Sequence, residues 1–320
     1  MTTESVSGAL KNARNGVGIA GSGRSPNRGK RNRAISHTWT FILFALPSLI
    51  LLVLLNAYPV VYAAFQSTHN GDLITTGSWV GFANYISVVQ DPVFWQSALF
   101  TVIFSVVGVF GSWAAGLGLA LLLRTKIPAG PVFKVLLLLP WVVPVVVSAM
   151  SWNWLVATPQ SPLPVLFQAL GLGSPLFLAD PILAKVMVCI FKVWISFPFM
   201  MMMMSSALAS VDTTVYEASK VDGAGTWQTF TQITLPMISR TTYVSWILMT
   251  IFCVNDFPTI FLLTGGGPVG ATQSLVVYAY LTVFANYQVG PGVAIAFIMT
   301  IVLVIISVLL YRQIRKVDIS

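Results

Sequence analysis

Long apolar stretches alternate with short polar ones along the whole chain. After a polar start, runs with almost no charge cover residues 39–65, 94–123, 135–156, 182–209, 241–263 and 290–311. Each is long enough to cross a bilayer as a helix. That takes about 20 mainly apolar residues, because every backbone N–H and C=O must be bonded inside the segment where water is absent. The pattern predicts an all-α polytopic membrane protein with six transmembrane helices. These make one transmembrane domain, residues 37–312, in place of the two soluble domains that 320 residues would suggest.

Composition agrees. Hydrophobic residues are 56% and charged ones 8% of the chain, against about 45–50% and 25% in soluble domains, which excludes a soluble core. The net charge of +8 is arranged by topology. Lys11, Arg14, Arg24, Arg28, Lys30, Arg31 and Arg33 precede the first span, and Arg124, Lys126 and Lys134 separate spans two and three. Lys220 and Arg240 separate spans four and five, and Arg312, Arg315 and Lys316 follow the sixth. Fifteen of the 17 Lys and Arg therefore lie on one side, and the positive-inside rule makes both termini cytoplasmic. Attraction to anionic membrane lipids accounts for this charge, and no nucleic-acid partner is implied.

Residues 1–36 are rich in Gly, Ser, Asn and Arg and are expected to form a disordered basic cytoplasmic tail; residues 313–320 form a cytoplasmic C-terminal tail. Within the first tail, Gly16-Val17-Gly18-Ile19-Ala20-Gly21 matches a dinucleotide fingerprint. No strand precedes it and no βαβ unit surrounds it, so it carries no binding site. The first span is too long, and lies too far along the chain, for a cleaved signal peptide. Loops at 66–93, 157–181 and 264–289 hold Trp79, Phe82, Tyr85, Phe177, Phe284 and Tyr287, an aromatic belt at the membrane surface. Asp91-Pro92 and Asp180-Pro181 predict helix starts, Asp as cap and Pro in the first turn.

Chemistry-bearing residues are few. Cys189 and Cys253 fall inside spans without metal-ligand spacing. Five consecutive methionines, 200–204, point all round a helix and cannot converge on one ion, so packing explains them. No carboxylate pair, nucleophile elbow or phosphate-binding Gly-Lys loop occurs, and the chain has no ATPase site of its own. Two ionisable residues fall well inside spans, Lys192 in span four and Asp256 in span five. An unpaired charge there costs about 2.5–3.5 kcal/mol, so they either pair with each other or face a polar pathway. Lys185 lies nearer the surface, where its stem can snorkel.

One polar segment, residues 212–236, separates spans four and five on the basic side. Thr214 with Glu217 fits a capping box, Asp212 being a competing cap. A short helix should end near Val221, Gly223 supplying the positive-φ residue that stops it. A second short helix should run to about Ile233, and Leu235-Pro236 should stop it and redirect the chain into span five.

Glu217-Ala218-Ser219-x-x-Asp222-Gly223-Ala224, followed by Phe230-x-x-Ile233-x-Leu235-Pro236, resembles the EAA loop of permease subunits of binding-protein-dependent ABC importers. Trp194-x-x-x-Pro198-Phe199, Asn255-Asp256-Phe257 and Leu263-Thr264-Gly265-Gly266-Gly267-Pro268 resemble its carbohydrate branch, the maltose, glycerol-phosphate and trehalose type. The likeness covers residues 39–311. Ser219 departs from it, standing where the family most often has a second Ala, but is small enough for a tight helix contact.

The resemblance implies a bacterial inner-membrane permease for a sugar or sugar-like solute, working with two ATP-binding subunits, a second homologous permease and an extracytoplasmic substrate-binding protein. It implies no cofactor in this chain, ATP and Mg being bound by the partner ATPase subunits. Glu217, Ala218, Ser219, Asp222, Gly223 and Ala224 would form a cytoplasmic coupling helix seated on an ATPase. Lys192, Ser196 and Phe199, spaced i, i+4, i+7 on one helix face, would line the substrate pathway with Asn255 and Asp256. Asp256→Ala is then expected to alter substrate handling more than assembly. The alternative is an ion-coupled secondary transporter using Lys192 and Asp256, which leaves the polar segment without a purpose.

Overall fold

The computed structural model describes residues 29–125 and 128–317. The chain divides into two units, residues 1–60 and 61–320. The described part of the first belongs to α1 (Gly29–Ser67), which contains Pro47 and Pro59 and is strongly apolar from Trp39 onward.

The second unit begins with the end of α1 and a two-stranded antiparallel hairpin, β1 (His69–Asn70) against β2 (Ser78–Trp79). Helices follow in the order α2 (Ala83–Gln90), α3 (Pro92–Arg124), α4 (Gly130–Val142), α5 (Val145–Val156), α6 (Pro162–Ala169), α7 (Pro181–Ala209), α8 (Thr213–Val221) and α9 (Thr226–Gln228). A π-helical turn, Thr229–Thr234, leads into α10 (Leu235–Val254), α11 (Pro258–Thr264), α12 (Leu275–Phe284) and α13 (Val289–Val317). Among the described residues, five helices are long and apolar enough to span a membrane, and a sixth span forms if α4 and α5 count as one bent crossing.

Caps set the helix starts. Asp91 Oδ1 accepts the N–H of Val93 at 2.9 Å, and Asp180 Oδ1 those of Ile182 and Leu183 at 2.9 and 2.8 Å. Both Asp-Pro pairs thus open helices, α3 and α7, as expected. The loops between spans carry structure of their own. Asn84 Nδ2 donates to the carbonyls of Ser67 and His69, Tyr278 donates its hydroxyl to Asp91, and the Leu275 N–H is accepted by Thr101 Oγ1 at 2.9 Å.

Helices α3, α7 and α10 meet along α3 because three glycines remove side chains there. A Cβ on Gly108 would lie 2.8 Å from Cys253 Sγ, one on Gly111 2.7 Å from Val193 Cγ2, and one on Gly116 2.6 Å from the Met201 backbone nitrogen. In a bilayer, where lipid is as apolar as the core, this close backbone approach is a principal source of helix association. Phe104, Phe191, Met200 and Met249 fill the centre. Of the methionine run, Met200, Met201 and Met204 are buried and Met202 is exposed, consistent with packing. Both cysteines are free and buried. Gly116→Val is expected to lower stability by about 1–3 kcal/mol, the usual cost of overpacking, because its neighbour is backbone that cannot rotate away. A thermal melt in detergent measures this, and an unchanged midpoint would contradict the close contact.

Four expectations need correction. Residues 29–36 belong to α1, not to a disordered tail, since no Gly or Pro interrupts 30–38 and the helix propagates from the apolar span back through Ala34, Arg33, Arg31 and Lys30, which are good helix formers; residues 1–28, with the Gly16–Gly21 motif, lie outside the described residues. The third span, 135–156, bends by 92° between α4 and α5. Val143 is extended because the residue before a proline is pushed from the α region, and Pro144 lacks the N–H that would continue α4. The fifth span, 241–263, breaks after Val254. Asn255 turns its side-chain amide onto the Ile251 carbonyl at 2.9 Å, and Pro258 restarts the helix at α11. Pro236, by contrast, does not stop the helix that precedes it, and 226–254 is one continuous helical stretch. The Leu235 N–H reaches back five residues to Phe230, and this wider turn accommodates a proline that has no N–H to donate.

Candidate functional site

The two helix breaks face each other. The elbow residues Val143, Pro144 and Val145, together with Asp256, Pro258 and Thr259 of the second break, line a cavity of about 340 Å³, with Lys192 and Ser196 of α7 on a third wall. Irregular backbone within a membrane is tolerated where it is enclosed by protein or lines a cavity, and discontinuous helices are where transporters commonly hold solutes.

Lys192 and Asp256 are paired across this cavity wall. Lys192 Nζ donates to Asp256 Oδ2 at 2.6 Å, both side chains being at most 7% exposed. Asp256 Oδ1 accepts the N–H of Thr259 at 3.0 Å, so one carboxylate both neutralises a buried ammonium and caps the first turn of α11. The Lys192 ammonium also lies 5.9 Å from the centre of the Phe104 ring, an added cation–π attraction.

Of the five residues expected along the pathway, Lys192, Ser196 and Asp256 come together at the cavity. Phe199 sits behind its wall, stacked on Trp141 with ring centroids 5.2 Å apart, and packs edge-on against Phe252 at 5.9 Å. Asn255 is exposed and spends its amide on Ile251. Trp141 and Phe252, absent from that expectation, also line the cavity. The signal for Trp141 was present in Pro140-Trp141-Val142-Val143-Pro144, two prolines four apart marking an elbow.

The polar segment forms the second candidate surface. Asp212, the competing cap, opens α8 by accepting the Thr214 N–H at 2.9 Å, and Glu217 is exposed with no reciprocal capping bond of the Thr214 kind. Asp212 is held below the usual carboxylate range, first by that N–H and then by the Thr214 hydroxyl. With a depressed folded-state value, the cap is at full strength above the unfolded carboxylate pKa of about 4 and is lost as pH falls through the lower folded value. Amides of 213–221 are accordingly expected to exchange several-fold faster in Asp212→Ala than in the parent at neutral pH, and the difference should shrink as pH falls below the usual carboxylate range.

Helix α8 ends in a Schellman motif. The Ala224 N–H is accepted by the Ser219 carbonyl at 2.9 Å and the Gly223 N–H by Lys220 at 3.1 Å, with Gly223 at φ +76. This is the left-handed residue that glycine adopts without cost. Ser219 is buried and donates its hydroxyl to the Tyr216 carbonyl at 2.8 Å. Around the turn, Ala218, Asp222 and Glu217 are exposed and Ala224 is half-buried, while Val221 and Trp227 are 87% and 73% exposed. Two large apolar side chains therefore stand out on either side of a rigid, polar elbow.

Residues 108–318 match the family described as binding-protein-dependent transport system inner membrane component. The chain is 30% identical over 283 residues to a sulfoquinovosyl glycerol transport system permease of Agrobacterium fabrum, covering 87% of this chain and 91% of that one. It is 32% identical to a trehalose/maltose transport system permease of Thermococcus litoralis, covering 86% and 92%. A solved bacterial ABC transporter involved in import of the acidic polysaccharide alginate shares the fold, with a TM-score of 0.77 at 20% identity over 89% of this chain and 98% of that one. Together with the broken helices and the α8 elbow, these matches place the chain in the binding-protein-dependent ABC importer permease family.

Proposed function

We propose that this chain carries a sugar or sugar-like solute across the bacterial inner membrane as one permease of an ATP-driven importer. The observation that carries the reading is the α8 elbow, a Schellman-capped helix presenting exposed Val221 and Trp227 on a chain whose other large surfaces suit lipid. Relatives named for disaccharide and sugar-glycerol transport support a carbohydrate cargo, as do the two aromatic rings and the polar trio Lys192, Ser196 and Asp256 at the cavity. Aromatic faces meet a sugar's C–H side, and the polar groups meet its hydroxyls.

In this reading both termini and α8 are cytoplasmic. Glu217, Ala218, Asp222 and Gly223 seat on a separate ATP-binding subunit, with Ser219 and Ala224 packing the elbow from within. ATP and Mg are bound by two such subunits, a second permease completes the pathway, and an external binding protein delivers the solute. ATP favours the closed pair of ATPase subunits, and this preference shifts the permease between inward- and outward-open states. An ion-coupled carrier would leave the α8 elbow idle.

The test is co-purification from the native membrane. An ATP-binding subunit should come down with the parent chain and be lost when Glu217 and Gly223 are both replaced, and a screen of solutes on the matching binding protein then names the cargo. Uptake that collapses with a protonophore while ATP stays abundant would favour the carrier.

A further inference from the structure

Arg124 closes α3 and reaches a residue of α8. Its guanidinium carbon lies 4.4 Å from the centre of the Tyr216 ring, and Tyr216 immediately precedes Glu217. The ring packs on a buried cluster drawn from three helices, with Leu117 and Ala120 of α3, Met204 and Leu208 of α7, and Ile238 of α10. The Tyr216 hydroxyl is buried without a hydrogen-bond partner, so the aromatic ring, and not the hydroxyl, fixes the residue. Above this point α3 touches α7 at backbone distance, since a Cβ on Gly116 would lie 2.6 Å from the Met201 nitrogen. A closed path of contacts thus runs from α8 through Tyr216 and Arg124 into α3, and from α3 into α7.

We infer that Arg124 and Tyr216 are positioning residues that clamp α3 to the coupling segment, so that α3 moves with α8 when the ATPase acts instead of standing still while α7 and α10 rock. The inference rests on the importer reading. Chain connectivity ties α8 to α7 and, through the π-helical turn, to α10. A cation over an aromatic face strengthens the contact that the Tyr216 ring makes with the cluster shared by α3, and its strength depends on a cation at 124 and a ring at 216, which lysine and phenylalanine preserve.

The test uses the full chain in its co-purified complex, with spin labels on the exposed positions Leu122→Cys in α3 and Thr213→Cys in α8. Cys189 and Cys253 are buried and stay unlabelled in the folded protein. Distances are measured without nucleotide and after trapping with ATP and vanadate. One separation common to both states is expected in the parent. Arg124→Gln should raise a displaced population about two- to fivefold, the factor an exposed cation–π contact supplies, and Tyr216→Leu should do the same without adding to it in the double variant. Arg124→Lys and Tyr216→Phe should keep the single separation. A parent separation that changes with nucleotide, an unaltered distribution in Arg124→Gln, or a Tyr216→Phe variant that behaves like Tyr216→Leu would each overturn the clamp while leaving the importer reading intact. Absence of any co-purifying ATP-binding subunit would remove that reading and the clamp together.

Discussion

Asp256→Ala is expected to destabilise the folded chain by about 3–5 kcal/mol, because it strands a buried ammonium that meets no other carboxylate among the described residues. The Lys192 Nζ is bonded to Asp256 Oδ2 at 2.6 Å, and its stem is pressed against α3, where a Cβ on Gly108 would come within 3.1 Å of Lys192 Cγ. The ammonium therefore has little room to snorkel toward water. The loss of Oδ1 also frees the Thr259 N–H at the start of α11, adding to the damage. Replacing both partners, Lys192→Met with Asp256→Leu, should recover most of that stability, since a buried pair exchanged for apolar groups of similar volume is close to neutral. Denaturation of the purified chain in detergent reads both variants. A single variant that loses less than about 1 kcal/mol would mean that water reaches the pair as it reaches a surface ion pair. A loss of the expected size would mean that Asp256→Ala disturbs the fold before it disturbs substrate handling. For that purpose Lys192→Met with Asp256→Leu, which keeps the helices together, is the informative variant, and it should still fail to transport.

Gly223→Pro should abolish uptake while the chain still inserts and folds in the membrane. Proline fixes φ near −65°, whereas Gly223 sits at φ +76, and proline also lacks the N–H that Gly223 gives to Lys220. Both halves of the Schellman motif fail, and the direction in which Val221 and Trp227 project is lost with them. Gly223→Ala separates strain from shape. A Cβ there would meet nothing within 4 Å, so the cost is the backbone strain of a left-handed alanine alone, about 1–2 kcal/mol, and partial uptake should remain. Uptake by the proline variant at the parent rate would remove the elbow from the transport cycle.

Much of the site could be read along the chain where its cause is local. Gly223 reads as the end of α8 because a left-handed stop after an amphipathic turn depends on adjacent residues only, and Asp91 and Asp180 read as caps because an Asp-Pro pair carries its own signal. The choice between Asp212 and Thr214 as the cap of α8 is less legible, since both offer an oxygen at suitable spacing; the structure has Asp212 accept the Thr214 N–H. Pro236 misled for the opposite reason. A proline usually ends a helix, but a π-helical turn just before it absorbs the missing hydrogen bond.

The sequence by itself determined that the chain crosses a membrane, roughly where its apolar spans lie, and that a polar elbow separates spans four and five. Hydropathy, caps and glycine conformations act over one or two turns and need no partner. Only the tertiary structure decided that spans three and five break, that both breaks open onto one cavity, and that Lys192 and Asp256, 64 residues apart, close on each other. An average over some twenty apolar residues does not register which single N–H is missing. The pairing of two buried charges is likewise fixed by how α7 and α10 approach α3 over its glycines, a distance that no local pattern encodes.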